Sequence, residues 1–192
     1  MHWHTTRHLI KADLYRYFGR SGWRAFLSVY LHTPGFVYTF WMRLAALFKT
    51  CLLGKPLYLL ARLQIRRLEY KYGICIPYNT DIGAGLYIGH FGGIVVSHKA
   101  VIGKNCNINH GVTIGETFGG KHPGTPVIGD YVYIGPGSFI IGGIHIGNHV
   151  AIGANTVVTR SVPDFGVVVT KAVDVSVSYG SANYIANTLD NS

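Results

Sequence analysis

Residues 127–158 read VIGDYVYIGPGSFIIGGIHIGNHVAIGANTVV, with an aliphatic residue at every sixth position: Ile128, Ile134, Ile140, Ile146, Ile152 and Val158. A period of six fits neither the 3.6 of a helix nor the alternation of an ordinary strand. It suits a parallel β-helix, where each unit supplies one short strand and one corner and three units close a triangular coil. Upstream, the same period recurs at Ile76, Ile82, Ile88 and Ile94 and again at Ile102, Ile108 and Ile114. These aliphatic side chains are expected to point inward and stack from coil to coil. Compact residues two places earlier, such as Ala100, Cys106, Val132, Ser138 and Val150, fill the remaining interior. A β-sandwich would alternate with period two and vary its strand lengths, so the agreement of three separate runs argues against it.

The period breaks twice. Ile94 and Ile102 are eight residues apart, and Ile114 and Ile128 are fourteen apart. The second break contains GETFGGKHPGTP, whose glycines, prolines and charges describe an exposed loop over 115–127. His90 and His110 each lie two residues after a core isoleucine, which predicts one face, one coil apart, and a shared groove. His122 lies in the loop, within reach of that groove or of its equivalent on a neighbouring subunit. An imidazole in such a groove is suited to taking a proton from a hydroxyl near neutral pH. His145 and His149 read as surface residues.

The N-terminal part differs in character. Residues 1–72 hold twelve Lys/Arg against two Asp/Glu, whereas residues 73–192 hold five against six, so the net +9 belongs to the first part. Helices are expected over 9–18, 21–31, 36–48 and 56–71, broken at Pro34 and at Gly54-Lys55-Pro56. Cations interrupt the apolar runs before they reach the roughly 20 residues a bilayer span needs, so no transmembrane helix is expected. Tryptophan, tyrosine and arginine together suit either a peripheral contact with an anionic membrane surface or packing against the solenoid or another subunit. The basic residues come with no nucleic-acid-binding motif. Three cysteines without CxxC spacing suggest neither a disulfide framework nor a zinc ribbon, and MHWHTTRH is not a secretory signal, so a cytoplasmic protein with reduced thiols is expected. The expected organisation is a helical region 1–72, a β-helix 73–169 and a tail 170–192.

The stretch from Gly73 to about Val169 resembles the hexapeptide-repeat acyltransferases. Within them it is similar to the serine acetyltransferases and their capsule and exopolysaccharide relatives. GLYIGHFGGIVVSHKAVIGKNCNINHGVTIGE resembles the segment with that group's catalytic histidine, Lys121-His122-Pro123 its acceptor loop, and VIGDYVYIGPGSFIIGGIHIGNHVAIGANTVVTRSVP its closing coils. The resemblance implies a mainly β fold, a left-handed parallel β-helix with a helical N-terminal segment. It also implies a homotrimer, acetyl-CoA as co-substrate, no metal, and active sites between subunits. His90 then takes the place of the catalytic base, with His122 beside it. His110, Lys121 and Glu116 fall at acceptor-binding places; Gly135, Gly137, Gly153 and Ala154 line the pantetheine channel; Arg160 and Lys171 approach the nucleotide phosphates.

Three positions depart from the pattern. Gly89 stands where serine acetyltransferases carry an aspartate for serine's ammonium, Cys75 where a carboxylate orients the base, and Thr170 and Ala172 replace the glycine and proline of the closing turn. Together with the basic aromatic N-terminus, the missing aspartate leads to the expectation of an O-acetyltransferase acting on a sugar or polysaccharide precursor at the inner membrane face. The alternatives are a serine O-acetyltransferase of cysteine biosynthesis, a zinc site of His90, His110 and His122 like that of γ-carbonic anhydrases, and a non-catalytic scaffold.

Overall fold

The computed structural model describes residues 2–50 and 54–170. Four helices come first: α1 (Trp3–Phe18), α2 (Trp23–His32), α3 (Pro34–Lys49) and α4 (Lys55–Tyr72). Proline in the first turn starts α3 and α4, where its missing N–H costs nothing. α1 begins at Trp3 rather than near residue 9, and Thr6 in these added turns is fully buried. α4 ends at Gly73, whose left-handed conformation (φ 61°) lets its N–H reach the Glu69 carbonyl at 2.8 Å and turns the chain into the first coil. Among the described residues, no helix is long and apolar enough to cross a membrane.

Fourteen short strands follow. The first sheet stacks β1 (Ile74–Cys75), β4 (Ile94–Val96), β7 (Thr113–Gly115), β10 (Phe139–Ile141) and β13 (Val157–Val158). The second stacks β2 (Asp81–Ile82), β5 (Val101–Ile102), β8 (Val127–Ile128) and β11 (His145–Ile146). The third stacks β3 (Tyr87–Ile88), β6 (Asn107–Ile108), β9 (Tyr133–Ile134), β12 (Ala151–Ile152) and β14 (Val167–Val168). Every pairing between these strands is parallel, and each of the first four coils contributes one strand to each sheet, while the last reaches the second sheet only through a bridge between Val162 and Ile146. This is the parallel β-helix that the hexapeptide period predicts, with the left-handed coil that the family resemblance implies.

The isoleucines form ladders through the interior. Ile82, Ile102, Ile128 and Ile146 run down one wall, and Ile88, Ile108, Ile134 and Ile152 down another. All of these side chains are buried. Ile140 is fully enclosed between Ile114 above and Val158 below. Ile140→Asp forfeits about 1.5–3 kcal/mol of apolar burial and adds an unpaired carboxylate costing several more. Because a domain of this kind has only about 5–15 kcal/mol in hand, the variant is expected in the insoluble fraction or without a cooperative thermal transition in calorimetry.

The first coil has no strand above it, and side chains of α1 and α3 satisfy its backbone instead. The Tyr38 hydroxyl accepts from the Ile76 N–H and donates to the Ile76 carbonyl, both at 3.0 Å. Tyr17 does the same at Ile88, accepting at 2.8 Å and donating at 3.3 Å. Arg43 donates to the carbonyls of Ile82 (2.7 Å) and Gly83 (2.6 Å), while the Asp13 carboxylate accepts from the N–H groups of Gly85 and Leu86 at 2.9 Å. Arg43 and Asp13 also pair directly at 3.1 Å in the buried junction. Burial raises the Asp13 carboxyl above its usual range, and Arg43 with the two backbone donors opposes that shift. Each of the three faces thus has its first-coil edge closed, which protects an otherwise open template for strand addition at that end.

Candidate active site

Strand register locates His90. Gly111 donates to the carbonyl of Gly92, Gly137 to that of His110 and Asn155 to that of Pro136, so Gly92, His110, Pro136 and Ala154 are successive rungs of one corner. Gly89, Asn109 and Gly135 are likewise equivalent, each directly following a paired isoleucine. Asn109 and Gly135 run straight into the corner, whereas His90 and Phe91 intervene between Gly89 and Gly92. The extra pair therefore sits in the turn before Val96, and the eight-residue step from Ile94 to Ile102 is its trace in the sequence. Phe91 packs edge-on against Tyr72 of α4, with ring centroids 5.3 Å apart. That contact anchors the bulge, and His90 projects outward.

The His90 and His110 rings meet edge to face with centroids 5.9 Å apart. Both residues are exposed to solvent at this corner. Among the described residues nothing hydrogen-bonds either ring. Cys75 lies on the outer side of β1, paired in register with Val95; burial and the nearby Glu69 carboxylate push its thiol up. Burial also pushes the interior Cys106 thiol up to about 11, which keeps it a protonated packing group. Below the two histidines, Gly135, Gly137, Gly153 and Ala154 continue the same edge of the solenoid. Gly137 has to be glycine here, because its φ is +69° and a Cβ would run into the Asn155 side chain.

His122 stands elsewhere. The loop after β7 folds back through a Thr117–Gly124 bridge, and the His122 carbonyl accepts from the Gly143 N–H at 2.9 Å. Gly142 allows this approach, since a Cβ there would come within 2.7 Å of the His122 oxygen. Lys121 and His122 then line a cleft of about 510 Å³ with Thr117, Ile141, Thr159 and Arg160. Glu116, at the root of the loop, is paired with Lys99 at 2.8 Å.

This cleft lies where the first sheet passes to the second, whereas His90 and His110 lie where the third passes to the first. Within one protomer the full width of the first sheet separates the two groups. The structure thus brings His90, His110 and the glycine edge together, and sets Lys121, His122 and Arg160 together at another corner. Lys171 and Ala172 lie outside the described residues. Among the described residues no three His, Cys, Asp or Glu side chains are grouped to hold a metal ion.

Tyr17 escaped the sequence reading. Its hydroxyl clamps Ile88, two residues before His90, and burial raises its pKa well above the usual phenol range. A tyrosine inside an aromatic helix carries no spacing signal for such a role. Tyr17→Phe leaves the Ile88 N–H and carbonyl unpaired at the edge of the first coil. It should lower unfolding free energy by about 1–3 kcal/mol in urea titration.

Comparison with known proteins agrees with the fold. Residues 125–160 match the model of the bacterial transferase hexapeptide (six repeats). The serine acetyltransferase of Neisseria gonorrhoeae, solved in complex with serine, superposes with a TM-score of 0.69 at 32% identity over 86% of this chain and 67% of that one. The chain belongs to the hexapeptide-repeat transferases.

Serine acetyltransferases recur among its family relatives. That of Staphylococcus xylosus is 43% identical over 117 residues, 60% of this chain and 53% of its own length. That of Mycobacterium tuberculosis is 41% identical over 113 residues, 58% of this chain and 48% of its own. An Entamoeba histolytica serine acetyltransferase in complex with cysteine superposes with a TM-score of 0.71 at 27% identity, over 94% of this chain and 63% of that one. The chain spans about half the length of the curated relatives it matches. These findings overturn the expectation of a sugar or polysaccharide acceptor. Gly89 speaks to one contact with an acceptor rather than to its class, and the basic helices close the top of the solenoid.

Proposed function

We propose that this member of the hexapeptide-repeat transferases is a serine O-acetyltransferase using acetyl-CoA as donor. The observation that carries the reading is His90, raised on a two-residue bulge against the His110 ring and directly above the glycine edge. The identity with serine acetyltransferases across the solenoid supports the choice of acceptor.

In this reading His90 removes the proton from serine's hydroxyl, and the freed oxygen attacks the thioester carbonyl. Backbone N–H groups of the corner stabilise the tetrahedral oxyanion. Collapse expels coenzyme A as thiolate, which takes up the proton held by His90, and O-acetylserine leaves. The narrow glycine edge at Gly135, Gly137, Gly153 and Ala154 suits a pantetheine arm, which needs close approach to backbone and no side chain in the way.

The second corner completes the site from a neighbouring protomer in a homotrimer. There Lys121 and His122 meet the acceptor, and Arg160 lies near the coenzyme's phosphates. Glu116 holds the loop root through Lys99. With glycine at 89, no carboxylate at that position meets serine's ammonium, so a high KM for serine with ordinary kcat is the expected signature.

The test offers L-serine and a panel of sugar acceptors separately with acetyl-CoA and follows thiol release, with product mass identified. Serine-dependent release of coenzyme A and formation of O-acetylserine support the proposal. Release that depends on a sugar, or none with any acceptor, rejects it.

A further inference from the structure

The α1–α2 hairpin carries a surface that neither the solenoid nor the proposed chemistry uses. On α2, Ala25 and Val29 are buried and Phe26 and Tyr30 pack into the aromatic cluster with Phe36 and Phe40. That face already anchors the helix. Trp23, Leu27 and Leu31, spaced four apart, form a second apolar stripe, exposed by 70%, 47% and 73%. Trp3, Tyr15 and Phe18 of α1 are exposed as well.

The charges around the stripe have one sign. Arg7, Lys11, Arg20 and Arg24 are exposed on the hairpin. Arg24 lies over the Trp23 ring at 5.4 Å and Arg20 over Phe18 at 5.1 Å. Asp13 is the only acidic residue before Glu69, and it is buried against Arg43. No carboxylate on the hairpin surface therefore offsets these cations.

We infer that the α1–α2 hairpin docks on an anionic lipid surface, Trp23, Leu27 and Leu31 entering the headgroup boundary and Arg20 and Arg24 meeting lipid phosphates. Charge complementarity selects this occupant over a second copy of the chain. The described solenoid carries only four acidic residues, and three are engaged: Glu116 with Lys99, Asp130 with the Lys104 N–H, and Asp164 with Asn148, which leaves Asp81 on β2 as its one exposed carboxylate with no such partner. Another copy thus offers little to neutralise four cations. A soluble phosphate compound would meet the arginines but leave the leucine stripe in water. A bilayer interface satisfies both, since tryptophan settles at headgroup depth and each cation gains from the negative surface potential.

The test uses the full chain with phosphatidylcholine vesicles, with and without phosphatidylglycerol, read by co-sedimentation and tryptophan emission. Binding is expected only with phosphatidylglycerol, with a blue-shifted emission and a marked loss on raising salt. Arg20→Gln with Arg24→Gln should weaken partition by roughly tenfold or more. Leu27→Ser with Leu31→Ser should weaken it comparably, and both pairs should leave the thermal midpoint in place because all four side chains are exposed.

Equal sedimentation with neutral vesicles, or unchanged partition in both double variants, overturns the inference. So does a leucine variant whose particle mass falls in light scattering while vesicle binding persists, because the stripe is then a subunit contact. None of these readouts involves acetyl transfer, so failure here and failure of the serine reaction are separate results.

Discussion

His90→Ala should lower acetyl transfer by about 10²–10⁴-fold, the range spanned by loss of a general base, while the assembly stays intact. The residue is exposed on its bulge, and its one recorded ring contact is to His110. Truncation therefore opens no cavity and leaves no buried polar group unpaired, so light scattering and the thermal midpoint should match the unaltered protein. Coenzyme binding, followed by calorimetry, should also persist, because the glycine edge lies on the coils below. His110→Ala should have a smaller effect that falls mainly on KM for the acceptor, since the ring neighbours the base without occupying its place. Turnover by His90→Ala within about threefold of the original would remove the histidine from the chemistry.

The solenoid was legible because its physics is one-dimensional. Each coil repeats the same demand for an aliphatic at one place and a sharp turn at another, so Ile134 or Ile146 can be assigned without knowing any distant contact. The closed upper end was not legible. Tyr17, Tyr38 and Arg43 act on backbone groups 38 to 71 residues away in sequence, and no local pattern marks a hydroxyl or guanidinium for that purpose.

The histidine pair falls between these cases. The irregular count signalled an insertion, yet counting alone placed it after Ile94. The hydrogen bonds at Gly92, His110 and Pro136 put it at His90 and Phe91. Both residues are exposed, and the edge-on contact of Phe91 with Tyr72 ties the bulge to α4. The acceptor was the least legible of all. Position 89 records the absence of one carboxylate, and an absence does not specify what binds instead.

The separation of the two corners leads to the second large effect. If each site joins the His90 corner of one protomer to the His122 corner of its neighbour, His90→Ala and His122→Ala assemblies are each inactive for different reasons. Mixing the two chains by co-expression creates some interfaces with both histidines present. At equal amounts, a given site needs the His122→Ala chain on one side and the His90→Ala chain on the other. Independent assortment in a closed ring of three supplies that arrangement at about a quarter of sites. Activity should therefore rise from the background of either variant to roughly a quarter of the original. A site built within one protomer gives a different result, because every chain in the mixture then lacks one of the two groups and the activity stays at background. The double variant carrying both substitutions on one chain, mixed with the unaltered chain, supplies the control: a composite site again retains about a quarter, whereas a site within one protomer retains about half.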